Sequence, residues 1–540
     1  MILNDEGLQN RAEWERKGYE LPGFDRRAMT EETGRNPQWI HFGTGNIFRA
    51  FPCSLMQRLL NAGESGTGII AVGGSDYEVI NKAYRSHDNL SILVTLKADG
   101  SIGKTVIGSI AETRVFDSRN AEEFGGLQKA FSADSLTMAS FTITEKGYSL
   151  TEGSGELLPD AAADLAAGPA CPISFFGKVT SLLYRRYLSG EKPVAMVSMD
   201  NCSRNGEKLY AVVHVFAEKW EENGICQHGF LSYVEDGSKV SFPWTMIDKI
   251  TPGPDASVER QLEEDGLEDL DPVTTARHSH IAPFVNAEES EYLVVEDHFP
   301  NGRLPLEKAG VIFTDRETVN EVERMKVCTC LNPLHTALAI YGCLLGFTRI
   351  ADEMKDADLR KLAETVGYRE GLPVVTDPGV IDPKKFIDTV VNVRIPNSYM
   401  PDTPQRIATD TSQKLPVRFG ETIRAYMASD SLRVSELKMI PLVFAGWLRY
   451  LTGVDDMGKM FALSPDPLLE DLRPCVEGLR LGKENDLSSI DPLLHNARIF
   501  GVDLFEAGLA ETVKSDLEAE LAGAGAVRET LHRTLAPASE

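Results

Sequence analysis

The sequence predicts an α/β N-terminal domain followed by a mostly α-helical C-terminal domain. Short β-rich runs alternate with helical patterns from residue 38 to about 296, which predicts a largely parallel sheet. The first of these runs ends in a Gly-x-Gly turn. From residue 317 onward, apolar residues recur at helical spacing. A chain of 540 residues is also too long for one core, which asks for two domains or three. The boundary falls near residue 297, giving domains 1–297 and 298–540.

Each element follows from local pattern. Residues 1–36 read as a polar lead-in with a helix, 38–42 as a buried strand, 43–45 as its turn and 48–62 as the next helix. Further strands are expected at 68–72, 90–96, 140–144, 193–198 and 291–296, with helices at 121–133 and 176–188. The stretch 151–172, rich in Gly, Ala, Asp and Pro, reads as an exposed loop, and the acidic 251–272 as surface. Helical runs at 317–331, 334–347, 359–366, 420–428, 442–452 and 503–522 build the second domain.

A net charge of −26 repels phosphate backbones and anionic lipids, so no nucleic-acid or membrane partner is expected. It also repels acidic substrates at long range, so an anionic substrate would need a local cluster of Arg and Lys. Eight scattered cysteines lack the spacing of a disulfide framework, and the first 20 residues have no apolar core for a signal peptide. The longest nearly apolar stretch, 337–347, is too short to span a bilayer. A cytoplasmic protein is expected.

The first strand runs into Gly43-Thr-Gly-Asn-Ile-Phe-Arg-Ala50. Gly43 and Gly45 at a strand-to-helix turn let backbone approach a pyrophosphate, and the following helix N-terminus supplies free N–H groups that favour anions, with Asn46 and Ile47 beside it as further cofactor-binding candidates. Phe48 stands where a third glycine is usual, and Ala50 can serve the close packing instead. Asp76 follows the second strand, where an acid accepts hydrogen bonds from ribose hydroxyls and repels a 2′-phosphate, which favours NAD as the cofactor. A structural two-glycine turn and a solvated turn Asp remain open on these residues alone.

Glu323 and Lys326 lie three apart on one helix face, a pair that is usually a solvated ion pair. The next few residues are unusual: Asn332 precedes Pro333, a good N-cap and N1 for a new helix, and His335 sits in its first turn. A break there would gather Lys, Asn and His at one place. Oxidising an alcohol to a ketone needs a base for the hydroxyl proton, and a desolvated lysine can serve. Amide N–H groups stabilise a developing alkoxide. His278 and His280 lack companions at ligand spacing, so no metal site is expected.

Several motifs in order complete the pattern: Thr142-Ile-Thr-Glu-Lys-Gly-Tyr148, Ser198-Met-Asp-Asn-Cys-Ser-Arg-Asn-Gly206, Phe242-Pro-Trp-Thr-Met-Ile-Asp-Lys-Ile-Thr-Pro252, Val294-Val-Glu-Asp297, Met325-Lys326 and Leu331-Asn-Pro-Leu-His335. With the glycine turn, they resemble the polyol-specific long-chain dehydrogenases, the mannitol dehydrogenase family, from about residue 38 to 510. The resemblance implies a Rossmann-type N-terminal domain, a helical C-terminal domain, NAD, and metal-independent interconversion of a sugar-type alcohol and ketone. It implies Lys326 as general acid/base, Asn201 and Asn332 as the oxyanion-stabilising pair, and Glu323 and Glu145 as a proton path. Asp248 and His335 would bind substrate hydroxyls, and Arg406 and Lys414, from Gln405-Arg-Ile-Ala-Thr-Asp-Thr-Ser-Gln-Lys414, would reach the substrate pocket.

The resemblance also sets a puzzle. The family has five steps from the lysine to the asparagine, whereas Lys326 to Asn332 is six, and one extra helical residue would swing Asn332 and His335 by about 100° around the axis. Either the Pro333 break or a single π-type bulge could absorb it. The partner expected is a small sugar acid or polyol. Lys146-Gly-Tyr148 and Cys330-Leu-Asn-Pro-Leu-His335 look more like the members that reduce hexuronates, with Arg406, Lys414 and Arg418 as candidate cations for a carboxylate. A non-catalytic NAD-binding sensor would need a broken catalytic set, and a metal-dependent isomerase a cluster of carboxylate and His ligands; neither is found.

Overall fold

In the computed structural model, residues 1–74 and 76–536 are described; Ser75 and residues 537–540 of the expected helical domain lie outside them. The chain divides into two compact units. The first comprises Met1–Lys97 and Ser101–Asn320, the second Ala98–Gly100 and the chain from Glu321 onward.

The first unit is built on a six-stranded parallel sheet. Its strands are β1 (Trp39–Phe42), β2 (Ile69–Gly73), β3 (Ile110–Val115), β4 (Met138–Phe141), β5 (Val194–Ser198) and β6 (Val240–Ser241), in the order β3-β2-β1-β4-β5-β6. This is the doubly wound order in which the chain reverses direction between β1 and β4. Both faces are covered, so β1, β4 and β5 are buried at every position. One core gathers Phe48, Leu55, Met56 and Leu59, and the other gathers Phe124, Leu127, Val179, Leu182 and Trp220.

Besides a two-stranded ribbon, two smaller sheets lie outside the main one. The expected strand at 90–96 is present as Ser91–Leu96, but it pairs with Ile102–Ile107 and Phe284–Glu288, outside the main sheet. The strands β7 (Thr245–Asp248), β8 (Tyr292–Glu296) and β9 (Ile312–Thr314) form the other. The expected boundary at 297 falls inside this unit, because β9 pairs in parallel with β8 and keeps the chain in the first unit through Asn320. The stretch 151–172 is not all loop. Pro159 opens a helix, Pro159–Ala167, and Asp164, within it, accepts hydrogen bonds from the amides of Ile173 and Ser174.

The second unit is helical. A helix of 29 residues, Arg316–Leu344, leads into it; it is long and apolar enough to cross a membrane, but 78% of its most apolar window is buried in protein, as in a core helix. The helix Met439–Tyr450 is buried throughout and packs against it. Three N–H groups at its start, those of Lys438, Met439 and Ile440, are capped by the buried Glu370.

Glu353, fully buried on the short helix Ile350–Glu353, has no hydrogen-bond partner for either carboxylate oxygen among the described residues. Burial, with Asp356 nearby, holds its pKa up to about 9. The unfolded chain releases this proton near the ordinary value of about 4.3. Stability is therefore complete below that value and is lost as pH rises toward 9, by up to about 1.4 kcal/mol per pH unit. Glu353→Gln is expected to raise the thermal midpoint by several degrees at pH 8 and change it little at pH 5. Equal shifts at both pH values in calorimetry would rule out ionisation of Glu353 as the cause.

Candidate active site

The first unit supplies a cleft of about 640 Å³ at the carboxyl ends of its strands, where the order switches between β1 and β4. It is lined by Gly43, Thr44, Gly45 and Asn46 after β1, Gly74 and Asp76 after β2, and Thr142–Thr144 after β4. Gly43 has φ +122°, and a Cβ there would fall on the carbonyl of Thr142. Gly45 has an ordinary φ of −83°, and a Cβ there would meet nothing within 4 Å. The two glycines thus do different work: Gly43 lets β1 turn against β4, and Gly45 keeps a space open at the start of the helix Asn46–Ala50.

Side-chain hydrogen bonds brace this corner. His41, buried on β1 and stacked on Phe48, bonds Ser140 Oγ at 2.7 Å and Thr142 Oγ1 at 2.8 Å. Burial lowers its pKa to about 3, so it stays neutral. Tyr84 donates to the Thr44 carbonyl at 2.8 Å. Asn46 lines the cleft, but its side chain is committed to the Pro252 carbonyl and to Arg49. Ile47 does not line it; a helical residue one step further on, it packs against the core.

Asp76 is not a solvated turn residue. Its carboxylate accepts from the Thr275 hydroxyl, and neighbouring Glu78 accepts from the Ala276 amide at 2.9 Å. Partial burial works against its charge, but hydrogen bonds from Ser279 and Thr275 outweigh it and hold its pKa below the usual carboxylate range. A dinucleotide fits these residues: the open space at Gly45 admits the pyrophosphate, and the ionised Asp76 at the rim suits ribose hydroxyls. The strands Val273–Thr274 and His280–Ile281 pair as a ribbon, and Ser279, His280 and Ile281 after its turn complete the cleft. Nothing in their sequence pattern marked them as cleft residues; His280 stood out only as a metal-ligand candidate without companions.

The loops after β4 and β5 carry Glu145 and Asn201, which are both exposed. They are tied together by Asp200, which no sequence pattern singled out. Its carboxylate accepts from the amides of Ile143 and Thr144 at 3.0 and 2.8 Å and from Tyr148 Oη at 2.6 Å. Thr144 sits at φ +67°, a strained position that this clamp holds. Asn205 donates to the carbonyls of Asp200 and Thr245, bracing the Asn201 turn against β7. Glu145 forms an ion pair with Lys208. Asp248 ends β7 buried, and adjacent Lys249 turns to the other face, where it pairs with Glu291 at 2.8 Å; the two are no surface pair.

The second unit carries Glu323, Lys326, Asn332 and His335 on one helix. The turn Lys326–Cys330 is a π-helix, closed by a hydrogen bond from Leu331 N to Lys326 O at 3.1 Å, and the backbone leaves helical geometry at Leu331, at φ −128° and ψ −62°. This wide turn takes one residue more than an α-helical turn, which matches the extra residue between Lys326 and Asn332. Leu331 takes the N-cap position expected of Asn332, which becomes the first residue of Asn332–Leu344, with Pro333 second. The fixed ring of Pro333 and its missing N–H suit that place. Lys326 is buried, with 4% of its surface exposed, whereas Glu323, Asn332 and His335 are half-buried.

Another π turn, Pro416–Gly420, packs against this one. It comes directly after Thr411–Leu415, which carries Lys414. Lys414 is half-buried and donates to the carbonyls of Ile407 and Thr409; burial first, then Arg418, lowers its pKa to about 8. Arg406 is largely exposed and paired with Asp402, so within its own unit its charge is already matched.

Fold and cleft define a Rossmann-type dinucleotide-binding protein with a separate helical unit that presents a buried lysine. Family models described as the mannitol dehydrogenase Rossmann domain and the mannitol dehydrogenase C-terminal domain match residues 37–308 and 318–521. The chain belongs to the mannitol dehydrogenase family. It is 49% identical over 538 residues to a D-mannonate oxidoreductase of Thermotoga maritima, covering 99% of both chains. Among solved structures, it is similar to a D-sorbitol dehydrogenase in substrate-free form, with TM-score 0.79, 25% identity and 98% and 100% of the two chains covered. It is also similar to a Pseudomonas fluorescens mannitol 2-dehydrogenase in a ternary complex with NAD and D-mannitol, with TM-score 0.67, 26% identity and 99% of each chain covered.

Proposed function

We propose that this protein is a cytoplasmic, NAD-dependent reductase of a hexuronate ketone, converting D-fructuronate to D-mannonate and back. The observation that carries the substrate is the 49% identity, over 99% of both chains, with a D-mannonate oxidoreductase. Gly43, Gly45 and the backbone at Asn46 would hold the cofactor's pyrophosphate, and Asp76 its ribose; a carboxylate there disfavours a 2′-phosphate. All eight cysteines are free, as suits a reducing compartment.

When bound, the reduced nicotinamide supplies hydride to the ketone carbon. Lys326 gives the proton that the developing alkoxide needs, and takes it back in the oxidation direction. The amides of Asn201 and Asn332 donate hydrogen bonds to the same oxygen, where charge appears in the transition state. Glu323, on the same helix, and Glu145 relay the proton to solvent. Asp248 and His335 hold substrate hydroxyls, with Arg406 and Lys414 completing the pocket. Asp200 and Tyr148 act through the loops they clamp, as positioning residues.

Parallel assays of NADH oxidation with D-fructuronate, tagaturonate and fructose test the substrate. D-Fructuronate is expected to give the highest kcat/KM. A preference for tagaturonate would make the protein a tagaturonate reductase, and a preference for fructose a mannitol 2-dehydrogenase; either would overturn this assignment.

A further inference from the structure

We infer that Arg418 holds the substrate carboxylate and thereby sets the choice of a sugar acid over a neutral sugar; this rests on the hexuronate reading above. Arg418 stands on the π turn Pro416–Gly420, which packs against the π turn that begins with Lys326. Its guanidinium donates to the hydroxyl of Thr336, the residue after His335. That hydroxyl in turn donates to the Asn332 carbonyl at 3.0 Å. Arg418 is thereby aimed at the helical turn that carries Asn332, the proposed oxyanion donor, and His335, the proposed partner of a substrate hydroxyl.

The side chain lacks a counter-charge. Among the described residues no carboxylate forms an ion pair with Arg418, whereas its neighbours Arg406, Arg424 and Arg324 pair with Asp402, Glu421 and Glu421. Burial alone lowers its pKa to about 10, and Lys414 stands within its field. A partly buried cation facing a neutral hydroxyl and a second cation is costly unless an anion completes the group. In a chain of net charge −26, such a pair of cations is a local exception to the surrounding field.

The chemistry of a hexuronate matches. Its carboxylate lies four bonds from the ketone carbon, so it calls for a cation on a turn beside the one carrying Lys326. One of the five N–H groups of Arg418 is used on Thr336, leaving others for a bidentate grip on a carboxylate. Lys414, a point charge already donating to two carbonyls, is the weaker candidate.

The test uses the full-length protein with NADH and compares kcat/KM for D-fructuronate and fructose in wild type, Arg418→Gln, Arg418→Lys and Thr336→Val. Arg418→Gln is expected to lower the fructuronate-to-fructose ratio on the order of 10²-fold, chiefly through KM for the keto acid. Lys should restore part of it, and Thr336→Val, which removes the anchor, should lower the ratio less. A ratio that survives in Arg418→Gln, or an equal fall for both substrates, overturns this role and leaves the hexuronate reading standing. A wild type that prefers fructose overturns that reading itself. Should the Gln variant fail to fold, the Lys and Val variants decide by the same ratio.

Discussion

Lys326→Ala lowers the rate of NADH-dependent ketone reduction by about 10²-fold or more, the scale of lost acid/base catalysis, while NADH binding persists. The lysine is buried to 4% exposure at the mouth of a π turn, a placement that a surface ion pair would not require. The cleft assigned to the cofactor is lined only by residues of the first unit, so removing a side chain of the second leaves it intact. Lys326→Arg, which keeps the charge but cannot deprotonate near neutrality, should fail nearly as badly. The decisive readouts are a single-turnover rate, NADH titration by fluorescence, and partial rescue by small primary amines. A loss under tenfold would remove Lys326 from the proton transfer.

Gly45→Ala weakens NADH binding about 10- to 10²-fold at unchanged thermal stability, whereas Gly43→Ala lowers both together. The contrast comes from geometry. At Gly45 the backbone angle suits any residue and the added methyl meets no protein atom, so folding is not taxed. The methyl would occupy the space through which backbone approaches a pyrophosphate. At Gly43 the positive φ alone costs on the order of 1–3 kcal/mol in an L-residue. The methyl also strikes the Thr142 backbone, and Thr142 cannot yield, because His41 holds its hydroxyl. Isothermal titration with NADH and a thermal melt on each variant separate the two cases. Unchanged affinity in Gly45→Ala would place the pyrophosphate elsewhere.

Much of this was legible in the chain. Strict alternation of β-rich and helical runs marks an α/β domain, because each period is imposed by how side chains leave a strand or a helix. The glycine turn showed where the sheet would open, since only glycine reaches the φ of Gly43. Lys326, Asn332 and His335 stood out through their spacing around Pro333. What stayed hidden depends on contacts distant in sequence. Thr275 is 199 residues from the Asp76 it restrains. Asp200 looks in sequence like one more polar turn residue, yet its carboxylate holds two amides and a tyrosine across 52 to 57 residues. The helix Pro159–Ala167 was missed because Ala, Asp and Pro serve loop and helix start alike. The π turn was one of two ways to absorb the extra residue, and spacing alone did not choose between them.

The most direct test of hydride transfer to a hexuronate ketone tracks the hydrogen itself. Purified protein is incubated with NADH deuterated at the transferable position and D-fructuronate, and the product is examined by NMR. D-Mannonate carrying one deuterium on the former carbonyl carbon is the expected result. Unconsumed fructuronate, or a product without deuterium at that carbon, would contradict it.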